Sequence, residues 1–158
     1  MKTTFAIETS RELSSFSFYK DALYAFESVL SKGLLGFNSD LVGEICIGLI
    51  CLSPKFSQFF QARRPKYYED KTLKFRGSVT PEVRMYKCLT VDFVVDFEGY
   101  FKLTTKEECL KFLALSFIEF LKALKYPGKL KKFEKEKLLQ AVKDIFIENS
   151  IISAHDGI

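Results

Sequence analysis

The chain has no tryptophan, one histidine, four prolines and eight glycines among its 158 residues. Its lone imidazole, His155, stands beside Asp156 in the tail of the sequence, so serines such as Ser53 or Ser78 and the cysteines have no accompanying His in a defined element. Nucleophilic and general acid–base catalysis need such a pair held in fixed geometry, so no catalytic residue is assigned. The four cysteines, Cys46, Cys51, Cys88 and Cys109, form no CxxC pair, and each sits in an apolar run. Zinc needs clustered Cys and His ligands, so no metal site is assigned, and the thiols read as buried and reduced. There is no glycine-rich phosphate loop and no cofactor signature. The opening "MKTTFAIETSRELSS" lacks the continuous apolar segment of a secretory signal. The longest nearly uncharged run, "LVGEICIGLICLSP", is too short to cross a bilayer and carries Glu44. The expected location is the cytoplasm, with no membrane partner.

What the chain has in quantity is phenylalanine. Hydrophobic residues make up 47% of it, with 17 Phe and 7 Tyr, which is ample for an aromatic core. The length fits one domain over residues 1–158. A chain of this size buries about 68–70% of its unfolded surface without staples. A net charge of +4 is too small by itself to mark a nucleic-acid binder.

"TTFAIET" reads as a first strand. "SFYKDALYAFESVLSKG" has helical period, with Tyr19, Ala22, Phe26, Val29 and Leu30 on one stripe, Ser17 as cap and Gly33 as stop. "EICIGLICLS" is apolar on both faces and reads as a central strand. Short strands or turns are expected around Phe56–Phe60, Lys66–Tyr68 and Thr72–Phe75. A long alternating strand follows over Val83–Phe97, Gly99 ends it, and "YFKLT" is a candidate return strand. Thr105 with Glu108 forms a capping box. Two helices follow, one with Leu113, Phe117, Leu121 and Leu124 on its apolar stripe, the other with Leu138, Leu139, Val142, Ile145 and Phe146. The tail "ISAHDGI" is expected to be loosely held. The sum is an α+β fold: an antiparallel sheet with an N-terminal helix and two C-terminal helices packed on one face.

Three charged regions are candidate sites. Asp92, Asp96 and Glu98 form a −3 group without an intervening cation. On one strand, Asp92 and Asp96 would face the same way about 13 Å apart. That is wider than the roughly 5–9.5 Å of cooperating glycosidase carboxylates. The group is a solvated face, a partner-facing acidic patch, or a catalytic or metal site. The segment "ARRPKYYEDKTLKFR" combines Arg63, Arg64, Lys66, Lys71, Lys74 and Arg76 with Tyr67 and Tyr68. Arg and Tyr anchor protein interfaces, and the same mixture stacks on bases, so protein docking, nucleic-acid contact and an ordinary strand edge all stay open. Between Lys122 and Lys143 stand eight lysines and two glutamates, read as a solubilising face that relieves helix dipoles.

From Arg63 to Ile147 the chain resembles the immunity proteins of bacterial contact-dependent growth inhibition and related polymorphic toxin systems. The resemblance is carried by "RRPKYYEDKTLKFRG", the strand "VRMYKCLTVDFVVDFEGY" and the paired helices "TKEECLKFLALSFIEFLKAL" and "FEKEKLLQAVKDIF". It implies a non-enzymatic protein that binds a cognate toxin domain and blocks its active site, usually as a tight one-to-one complex. Inhibitors of nucleases are often acidic, whereas this chain is basic. The toxin face is therefore either local and acidic, or the toxin presents an acidic surface. On this reading the partner-binding residues are Arg63, Arg64, Lys66, Tyr67, Tyr68, Asp92, Asp96 and Glu98, and nucleic acid is not an expected partner. The alternative is a nucleic-acid-binding accessory protein that uses the basic Arg63–Arg76 segment and the lysine-rich turn. An enzyme built on Asp92 and Asp96 ranks last.

The thiol reading has a direct check. Intact mass spectrometry with and without alkylation is expected to count four reduced thiols, and elemental analysis no stoichiometric zinc. A native disulfide or bound zinc would overturn it.

Overall fold

The computed structural model of the chain describes residues 1–9, 17–39, 42–51, 77–83, 86–124 and 134–156. The expected strands around Phe56–Phe60, Lys66–Tyr68 and Thr72–Phe75 lie outside these residues, as do Lys129, Lys131 and Lys132. The first strand, β1, is Lys2–Thr9, and the helix α1 is Ser17–Gly33. A single 3-10 turn, Leu34–Gly36, leads on to β2, Glu44–Cys51. β3 is Gly77–Val83 and β4 is Tyr86–Val94. Three helices follow: the short α2, Phe97–Tyr100, then α3, Lys106–Ala123, and α4, Lys135–Glu148.

The sheet order is β1-β2-β4-β3. β1 pairs with β2 in parallel, and β2 with β4 in parallel. Only β3 runs antiparallel, against β4. The antiparallel sheet expected from the sequence is therefore overturned: the sheet is mixed, and parallel at its centre. The reason is the position of α1. A helix between two strands supplies the crossover a parallel pair needs, whereas a hairpin needs only a tight turn. β3 and β4 are joined by such a short link, and they alone are antiparallel. β3 is an edge strand, and its pairing shifts between Thr80 and Val83, next to Pro81, which has no N–H to donate.

The register aligns the apolar faces. Phe5 pairs with Ile47, which pairs with Val91; Ile7 pairs with Leu49, which pairs with Phe93. Ile45, Ile47, Leu49, Leu89, Val91 and Phe93 are buried. α1 lays Tyr19, Ala22, Leu23, Phe26 and Leu30 into the same core, and α3 adds Leu113, Phe117 and Leu121. Phe26 sits at the meeting point, its ring centroid 6.2 Å from Phe93, 5.5 Å from Phe117 and 5.8 Å from Phe146.

The helix ends are closed by specific bonds. Thr105 Oγ1 accepts from the Glu108 amide at 3.1 Å, as the capping box requires. The Glu108 carboxylate reaches one residue further back than the usual box, accepting from the Thr104 amide at 2.9 Å and the Thr104 hydroxyl at 3.1 Å. These bonds, the Thr104 amide first, hold its pKa below the ordinary value. Lys135, in the first turn of α4, donates to the carbonyls of Lys122 at 2.5 Å and Leu124 at 2.9 Å, covering the C-terminal end of α3.

Through Asp156 the tail is held, contrary to expectation. Ser150 takes a left-handed conformation, φ 57°. Its amide donates to the Ile147 carbonyl at 3.0 Å, and the Ile151 amide to the Phe146 carbonyl at 2.9 Å. This is the Schellman arrangement, normally built on glycine. It turns Ile152 into the core, and Asp156 then accepts from the Ser153 amide at 2.8 Å and pairs with Lys111 at 3.5 Å.

Gly33 does not serve as the left-handed stop that its place in the sequence suggested, since its φ is −66°. It is needed for closeness instead. A methyl group there would lie 2.5 Å from Cγ1 and 2.6 Å from Cδ1 of Ile145 in α4. Gly33→Ala gains up to about 1 kcal/mol of helix propensity. Overpacking costs about 1–3 kcal/mol, so the clash wins. Urea denaturation is expected to show Gly33→Ala as destabilised, and Ile145→Ala in the same chain to relieve the clash, giving a non-additive double-mutant cycle. Additive effects would place Ile145 away from this contact.

Candidate partner-binding site

Three parallel strands bring three chain exits to one edge of the sheet. Thr9 pairs with Cys51, and Ile50 with Val94, so β1, β2 and β4 end together. β3, running the other way, begins at the same edge, with Gly77 opposite Val91. In sheets with parallel strands, the carboxyl ends of the strands are the usual place for a site.

β4 stops at Val94, and the expected strand over Val83–Phe97 is shortened accordingly. Val95 remains buried, so the apolar alternation outlasts the strand that it suggested. Asp96 then caps α2. Its Oδ1 accepts from the Gly99 amide at 3.2 Å, and its carbonyl from the Tyr100 amide at 2.9 Å. Asp92 and Asp96 therefore do not share a strand face. Asp92 lies within β4 opposite Gly48, while Asp96 and Glu98 stand exposed on the turn. Phe101 and Lys102 continue as a turn, which replaces the return strand expected over "YFKLT".

Two buried tyrosines fasten this turn to α1. The Tyr100 hydroxyl donates to the Tyr19 carbonyl at 2.6 Å. The Tyr19 hydroxyl points back to the carbonyls of Leu103 at 2.7 Å and Phe101 at 3.1 Å. The rings of Tyr19 and Phe101 stand 4.6 Å apart, and Tyr100 packs 6.0 Å from Phe112. Burial raises the pKa of both tyrosines. Cys51 and Cys109 lie beside them. Burial pushes the Cys51 thiol up to about 12 and the Cys109 thiol up to about 11, so both stay protonated and unreactive at neutral pH. Cys51 and Cys109 are free thiols.

Of the residues singled out in the sequence, the structure brings Asp96 and Glu98 together on this edge and sets Asp92 back within the strand. Arg63, Arg64, Lys66, Tyr67 and Tyr68 lie outside the described residues. The sequence reading missed Tyr19, Gly99 and Tyr100 as the parts that shape the turn. The available signal was Asp96 followed three residues later by Gly99, a turn pairing in which a short carboxylate caps nearby amides. Among the described residues, no group of three or more His, Cys, Asp and Glu could hold a metal ion, and no helix is long and apolar enough to cross a membrane.

Gly99 is the tightest point of the turn. A methyl group there would lie 2.8 Å from Asp96 Oδ2 and 3.2 Å from Phe112 Cζ. Gly99→Ala is expected to break the cap and cost about 1–2 kcal/mol in chemical denaturation, while Asp96→Asn, which caps equally well, stays within about 0.5 kcal/mol of the wild type. Equal stability of Gly99→Ala and the wild type would show that the cap contributes nothing.

No curated protein and no solved structure matches the chain. The family description Immunity protein 44 matches residues 1–148, which takes in the four described strands, the four described helices and the capped turn. By that match the chain belongs to the Immunity protein 44 family, the immunity proteins of a toxin system.

Proposed function

We propose that this protein binds the toxin domain of its own system, using the sheet edge at the strand ends, and blocks the toxin's active site. The observation that carries this reading is the capped α2 turn, which holds the exposed carboxylates Asp96 and Glu98 on a fixed backbone. Asp92 belongs to the strand that leads into it. The basic residues Arg63, Arg64 and Lys66, with Tyr67 and Tyr68, belong to the chain between Cys51 and Gly77, and both of those residues stand at this edge. Arginine and tyrosine are the residue types that anchor interface hot spots. The protein acts by occupation and not by chemistry: the buried thiols Cys51 and Cys109 are protonated, and His155 is exposed in a turn after α4. Its place of action is the cytoplasm, and a contact-dependent growth-inhibition system is the setting we infer.

The test is co-purification with the product of the neighbouring upstream gene, followed by surface plasmon resonance against it at two salt concentrations. Asp96→Asn with Glu98→Gln keeps the cap and removes two charges. We expect unchanged thermal stability, association about threefold slower or more, and a flatter salt dependence. Wild-type association and salt dependence would remove this edge from the interface. Tight, steeply salt-dependent binding to generic DNA would transfer the function to the nucleic-acid reading.

A further inference from the structure

The geometry points to Tyr19 and Tyr100 as positioning residues that set the α2 turn in its binding conformation before the toxin arrives. The inference rests on the proposed use of the sheet edge. The two hydroxyls work in opposite directions. Tyr100 reaches from the turn to the backbone of α1, ending on the Tyr19 carbonyl at 2.6 Å. Tyr19 reaches from α1 back to the turn, ending on the Leu103 and Phe101 carbonyls at 2.7 and 3.1 Å. The segment 97–104 is thereby tied to one helix at Tyr100, Phe101 and Leu103. The segment's other backbone bonds are local, and α2 is a single turn of four residues, too short to be stable alone. Both tyrosine side chains are buried, Tyr100 completely, so neither can touch a partner directly. They act through the turn, whose outward residues Asp96 and Glu98 are exposed. A turn ordered in advance spares the complex the entropy of ordering it on binding, which lowers dissociation without adding a contact.

Tyr19→Phe and Tyr100→Phe each remove one hydroxyl and keep the ring. Two measurements follow: amide hydrogen exchange over residues 97–104, and dissociation from the toxin domain encoded upstream. Lys135→Met serves as the control for lost stability elsewhere, because it removes a helix-end bond remote in sequence from the turn. We expect faster exchange in 97–104 than in β2 and β4, and dissociation about tenfold faster, a change that Lys135→Met does not reproduce. The salt dependence of association stays as in the wild type, since no charge has changed. If Asp96→Asn with Glu98→Gln weakens binding but both phenylalanine variants dissociate as the wild type does, positioning is overturned and the sheet-edge reading stands. If the charge variant binds normally, the edge reading fails and this inference with it. Tyr19→Phe preserves the bond donated by Tyr100, so it provides the test should Tyr100→Phe fail to fold.

Discussion

The structure depends on one aromatic ring. Phe26 is fully buried, and its neighbours come from both sides of the fold. Phe5 on β1 stands 6.3 Å away and Phe93 on β4 6.2 Å; Phe117 on α3 and Phe146 on α4 are closer still. Among the described residues no backbone–backbone bond joins these elements to α1, so side-chain packing must fix their arrangement. Aromatic pairs contribute about 0.5–1.5 kcal/mol each beyond their buried area. A centre of several such pairs therefore favours one docking of helices on sheet over its alternatives. Phe93 extends it, meeting Phe117 at 5.3 Å and Phe120 at 5.4 Å. The sheet must be parallel at its centre for this to work, since α1 has to cross the core face on its way from β1 to β2.

That crossing has a consequence at the strand ends. The chain leaving β4 does not continue as a strand past Val94, and six residues on Tyr100 is buried and bonded to α1. It turns instead, and a turn next to a core has backbone polar groups that need partners. Asp96 and Tyr19 supply them, while the Tyr100 hydroxyl donates to the backbone of α1. The same crowding buries Cys51 and Cys109 and keeps their thiols protonated. Core and edge are thus one problem, and the fixed shape of the turn follows from how the helices close the core.

Much of this was legible in the sequence, and the omissions share a cause. The helical periods located α1, α3 and α4, and Thr105 with Glu108 marked a helix start. The two-sided apolar run of β2 marked a central strand. Periodicity does not encode strand direction, however. The helix between β1 and β2 was the signal for a parallel pair, and the alternation after Val83 outweighed it. That alternation also misplaced Asp96, because Val91, Phe93 and Val95 are all buried although the backbone leaves the sheet between the last two. The Schellman end of α4 stayed hidden because Ser150 occupies the position where glycine would have announced it. The site was legible only in its charges. Its shape comes from Tyr19 and Tyr100, which lie far apart in sequence and read as ordinary core residues.

The overall charge of +4 is a poor guide to what this protein meets. At physiological salt the Debye length is about 8 Å, so a partner in its last approach senses the charges of one edge and not the sum over the chain. On that edge Asp96 and Glu98 are exposed on the α2 turn, and Lys102 is exposed just beyond it. Opposite signs this close give weak attraction at a distance and strong dependence on orientation nearby. An immunity protein benefits from that balance. Its partner has to be its own toxin and not any basic surface, and a fixed pattern of both signs penalises wrong partners where a uniformly acidic face would attract them. Such a pattern discriminates only if its spacing is constant, so on the binding mode we propose the buried tyrosines beneath the turn matter to recognition as much as the charges above them.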